Sequence, residues 1–144
     1  MTDLAESLYQ KAILAHARSG HGAGRLERPT HSATIDNPLC GDRVTIDLTI
    51  GKDGTVEAVG HRVRGCLLCE ASAALLAEGA IGRDEATLRT ADRDFQAMIR
   101  EGGDVPGEWP ALEVFTPVKT AKSRYECVLL PFQAAVRALD GEGG

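Results

Sequence analysis

The chain has 144 residues, 43% apolar and 26% charged, the composition of a globular domain with its own core. A net charge of −5 provides no basic footprint, which argues against nucleic acid as the main partner. The start, Met1-Thr2-Asp3-Leu4-Ala5-Glu6, lacks the basic and apolar regions of a signal peptide, and no apolar run approaches a membrane span. The expectation is therefore a cytoplasmic protein, with no membrane contact, whose four cysteines serve metal or sulfur chemistry rather than a disulfide framework. One domain over 1–144 is expected, ordered over about 3–139.

In chain order, Leu4, Leu8, Ala12 and Ala15 recur at helical spacing, with Thr2 or Asp3 able to cap the start. Ser19 to Gly24 ends that helix in a glycine-rich loop, read as a plain connector because no strand precedes it and no Lys-Ser/Thr follows. A short strand around Ala33 to Ile35 is expected before Asn37-Pro38. Val44 to Ile50 alternates apolar and polar, the mark of a half-buried strand. Gly51-Lys52-Asp53-Gly54 reads as a hairpin turn and Thr55 to Val63 as the return strand. Leu67 to Glu78 is rich in helix formers, and Asp84 to Arg100 reads as one or two polar-faced helices. Glu101 to Pro110 reads as a loop and Ala111 to Phe115 as a short turn of helix. The last helix is expected to open at Cys127, with Pro131 in its first turn and Asp140 to Gly144 frayed.

The chemistry gathers on Cys40-Gly41-Asp42, Gly65-Cys66 and Cys127. In an extended backbone residues two apart point the same way, so Cys40 and Asp42 aim a thiolate and a carboxylate in one direction. The hairpin returns Cys66 to the same end, and Cys66 stands where a helix N-terminus favours a thiolate. The residues thus point to a shared zinc or iron site; for Cys127 alone the bland alternative is a buried small hydrophobe. Cys69, one helical turn after Cys66, is either an additional donor, a sulfur carrier or a packed core residue. Arg124 is either a cation offsetting the charge of the site, a competitor for a thiolate, or a surface arginine. Glu126 is expected to point outward. The four histidines are scattered and read as ordinary residues, His61 being the nearest rival ligand.

Asn-Pro-x-Cys-Gly-Asp, Gly-Cys-x-x-x-x-Ala-Ser opening a helix, and a late Cys at the last helix resemble the IscU/NifU-N iron–sulfur cluster assembly scaffold family. The long spacing from Cys66 to Cys127, and Arg124 three positions before Cys127, look like its SufU-like branch; Glu126 stands where the IscU branch has His. Cys69 stands where many relatives have a small residue. The resemblance implies an α+β fold, a three-stranded antiparallel sheet with helices packed against it. It also implies a zinc site made by Cys40, Asp42, Cys66 and Cys127. Two functions compete. One is a sulfur acceptor for a PLP-dependent cysteine desulfurase, with Cys40 as the accepting thiol and zinc as the metal. The other is a non-enzymatic scaffold that builds a [2Fe–2S] cluster on the same ligands and passes it to a downstream Fe–S carrier or apo-protein. A third, duller class is a purely structural zinc.

Overall fold

The computed structural model describes residues 4–37 and 41–141, with side chains from Tyr9 onward. Cys40 and the capping candidates Thr2 and Asp3 lie outside the described residues. The elements are α1 (Leu4–Ser19), β1 (His31–Asn37), β2 (Asp42–Ile50), β3 (Val56–Arg64), α2 (Leu67–Ala80), α3 (Glu85–Glu101) and α4 (Tyr125–Leu139). Consecutive 3₁₀ turns fill Pro110–Thr120 and Lys122–Arg124. This is the α+β architecture expected.

The sheet is antiparallel in the order β1-β2-β3. Alternation along β2 sorts its side chains: Val44, Ile46 and Leu48 are fully buried on the inner face, while Arg43, Thr45 and Asp47 lie on the outer one. Helices α2 and α4 cover the inner face, and α1, α3 and the 3₁₀ segment pack around them. Strand β1 is longer than its two apolar residues suggest, because pairing with β2 extends it from His31↔Leu48 to Asn37↔Asp42. Asp84 caps α3 by accepting the Thr87 N–H at 2.9 Å, so the polar-faced segment is one helix. The scarce aromatics are concentrated: Phe95 meets Phe132 edge-on at 5.2 Å and Phe115 at 5.8 Å, and Trp109 meets Phe132 at 5.3 Å.

Three expectations need correction. The glycine-rich loop is not a plain connector. His61 N–H donates to Gly22 O and Gly24 N–H to His61 O, so the loop covers the free edge of β3. Gly60 permits that approach, since a Cβ there would stand 2.5 Å from Gly24 O. Pro131 is not in the first turn of α4, because the helix begins two residues before Cys127, at Tyr125. Proline has no N–H, so the Cys127 carbonyl lacks its usual partner four residues on. Asp140 and Gly141 are not frayed: Asp140 N–H closes on Val136 O at 3.1 Å, and its carboxylate meets Arg89 at 2.7 Å.

Candidate metal centre

Asp42 is the first residue of β2. Gly41 before it is not extended as expected but left-handed at φ +74°, so extended-strand alternation does not set the direction of Cys40 relative to Asp42. Gly41 N–H donates to Asn37 O at 2.8 Å. Cys66 follows β3 directly and occupies the N-cap position of α2 in extended conformation, with no side-chain capping bond. Its thiol therefore faces the partial positive charge of the helix start. Cys127 is in the first turn of α4. The two helix starts are tied together by Ser72 Oγ, which donates to Val128 O at 2.6 Å within the core. That bond gives a physical reason for the Ala71-Ser72 step of the sequence motif.

These elements bring one ligand atom each of Asp42, Cys66 and Cys127 within 4.8 Å of one another, the one such group among the described residues. Asp42 and Cys127 are buried and Cys66 is half-buried. Asp42 Oδ2 is buried with no hydrogen-bond partner, a costly state for a carboxylate oxygen unless a cation meets it. The carboxylate sits against Gly65: a Cβ there would fall 2.8 Å from Asp42 Oδ1. Burial pushes the Cys127 thiol far above the usual range, and the hydrogen bonds and charges of Cys66 and Asp42 push it further. A divalent ion reverses that balance by stabilising thiolates outright. Tetrahedral zinc with bonds of about 2.3 Å sets its sulfurs roughly 3.8 Å apart, a spacing this cluster can accommodate.

The accessory candidates fall elsewhere. Cys69 is fully buried in the hydrophobic core and is not a member of the three-residue group. Arg124 is exposed at the end of a 3₁₀ turn; its backbone N–H donates to Ala121 O at 2.8 Å, and its guanidinium makes no hydrogen bond or ion pair to a described residue. His61 is occupied: its ring Nε2 lies 2.7 Å from the His21 carbonyl, and burial holds its pKa below the ordinary value. Glu126 turns to Arg100 on α3 and forms an ion pair there, which directs its charge to that helix. Arg100 escaped the sequence reading because no local motif connects it to the last helix.

A hairpin and two helix starts that present two thiols and a carboxyl at one point define a small α+β protein with a candidate metal site. The chain belongs to the NifU-like N-terminal domain family, whose profile matches residues 8–108. It is 27% identical over 132 residues, 92% of each chain, to the iron–sulfur cluster assembly scaffold protein IscU of Thermotoga maritima. It is 25% identical over 142 residues, 96% of this chain and 94% of the other, to the zinc-dependent sulfurtransferase SufU of Bacillus subtilis. The crystal structure of the N-terminal part of a NifU-like protein from Brucella abortus superposes with a TM-score of 0.88 at 32% identity, covering 96% of each chain.

Proposed function

We propose that this chain is an iron–sulfur cluster assembly protein of the IscU/SufU type that accepts sulfur at a site formed by Cys40, Asp42, Cys66 and Cys127. The observation that carries the reading is the convergence of Asp42, Cys66 and Cys127, with one carboxylate oxygen buried and unpartnered. Cys40 is two residues from Asp42 along the chain, so covalent geometry keeps their Cα atoms within about 7 Å. Three thiolates and one carboxylate make a complete tetrahedral donor set for zinc, which would hold the cysteines deprotonated at neutral pH.

The partner is a PLP-dependent cysteine desulfurase carrying a persulfide. The Cys40 thiolate attacks the terminal sulfur of that persulfide; the sulfur–sulfur bond of the desulfurase breaks, its cysteine leaves as a thiolate, and Cys40 becomes the persulfide. Asp42 and Gly65 contribute position: the backbone at Gly65 leaves room for the carboxylate beside Cys66. A thiolate of a downstream Fe–S carrier or apo-protein then attacks the outer sulfur of that persulfide, the sulfur–sulfur bond breaks, and Cys40 leaves as a thiolate.

Turnover of the cognate desulfurase, measured as alanine formation, tests this. The chain should raise turnover and Cys40→Ala should abolish the increase; absence of stimulation by the intact chain contradicts sulfur acceptance. The similarity to a relative named as a scaffold favours a second reading, assembly of a [2Fe–2S] cluster as cargo on the same ligands. Anaerobic reconstitution that yields cluster absorbance in the intact chain and none in Cys66→Ala supports it.

A further inference from the structure

The outer face of the sheet is unlike the rest of this acidic protein. A concavity of about 500 Å³ is lined by Arg25, Arg43, Arg62 and Arg64, with Thr34 and Thr45 among its other lining residues. The pairing register sets Arg43 directly opposite Arg64, and Arg62 opposite Thr45. Like charges facing each other across strands destabilise a sheet. Two of the four guanidinium groups are already matched by carboxylates. Arg25 reaches Asp47 through Nε at 2.6 Å and Nη2 at 3.1 Å, and Arg43 reaches Asp36 at 2.6 and 3.4 Å. Arg62 and Arg64 are exposed and have no ion pair among the described residues.

We propose that this face docks an acidic segment of a protein partner, with its carboxylates on Arg62 and Arg64. The two internal pairs show what the surface is shaped to hold, since each is a planar carboxylate met by two guanidinium nitrogens. Arg62 and Arg64 are two apart on one strand, a separation of about 6.8 Å that matches alternate side chains of an extended peptide. Charge complementarity favours an acidic chain, and no aromatic side chain lines the concavity to stack a base. Arg43 and Arg64 adjoin Asp42 and Gly65-Cys66 but project from the opposite face, so a docked segment grips the strand ends that carry the metal centre.

Fluorescence anisotropy of the full chain with a labelled peptide alternating Glu and Ser tests this at low ionic strength. The Glu–Ser peptide should bind, a Gln–Ser peptide should not, and Arg62→Glu/Arg64→Glu should weaken binding about ten-fold or more. Arg93→Glu, on the exposed side of α3, should leave binding unchanged. Arg62→Gln/Arg64→Gln serves if the reversed-charge variant fails to fold. Equal binding of both peptides, unchanged affinity in the Gln variant, displacement by equimolar inorganic phosphate, or tighter binding of an oligothymidylate would overturn the proposal. Zinc content of each variant, read alongside, separates failure here from failure of the metal centre.

Discussion

Strand β2 carries two buried carboxylates on opposite faces, and their surroundings differ in kind. Asp47, on the outer face, is saturated. It accepts from Arg25 twice, from Ser32 Oγ at 2.6 Å and from the Leu26 N–H at 3.1 Å. Asp42, at the inner edge, keeps one buried oxygen without a partner and has two thiols for neighbours. A buried carboxylate completed by the protein's own donors is structural. One left incomplete beside two sulfurs is a donor set that suits a divalent cation.

Exchange of the two residues sharpens the contrast most. Asp47→Ala should destabilise the fold by about 2–3 kcal/mol in urea unfolding, because it strands the Ser32 hydroxyl and the Leu26 N–H, while zinc affinity stays unchanged. Asp42→Ala should do the reverse, costing little stability in the metal-free chain and most of the zinc affinity. The pH dependence follows from Asp47. Burial alone would raise its pKa, but the hydrogen bonds from Arg25, Ser32 and Leu26 and the Arg25 charge outweigh it and hold the carboxyl below its usual value. Its contribution is therefore fully present above the unfolded-state value, near pH 4, and is lost as pH falls through the lower folded-state value. Acid unfolding of the Asp47→Ala variant should show a correspondingly weaker dependence on pH in that range. Equal effects of the two substitutions on metal and on stability would erase the distinction.

A smaller effect is expected at the boundary between the two roles. In Gly65→Ala the new Cβ would press on the Asp42 carboxylate at 2.8 Å. Zinc affinity should fall about ten-fold by competition with a chromophoric chelator, the scale of a disturbed supporting shell. An unchanged affinity would mean that the carboxylate does not need its present position.

Much of this was legible in the chain itself. Alternation in Val44 to Ile50 and the Gly51 to Gly54 turn defined the hairpin, and the hairpin brought Asp42 to Cys66 by topology alone. Helix formers after Cys66 located the second helix start. The remainder depends on contacts between distant segments. His31 and Asn37 enter β1 only through pairing with β2. Of the 3₁₀ run over Pro110–Thr120 only the turn at Ala111 to Phe115 was legible; its continuation through Pro117 to Thr120 has no helical period to announce it. Ser72, Arg100 and the facing pair Arg43 and Arg64 are each ordinary polar residues until the register and the α2–α4 and α3–α4 packing bring them to their partners.

The most direct test is X-ray absorption at the zinc edge of the chain loaded with one equivalent of zinc. Three sulfurs at about 2.3 Å and one oxygen at about 2.0 Å are the expected shell, with the oxygen lost or replaced by solvent in Asp42→Ala. A shell of nitrogen and oxygen without sulfur would contradict the assignment of Cys40, Cys66 and Cys127 to a common ion.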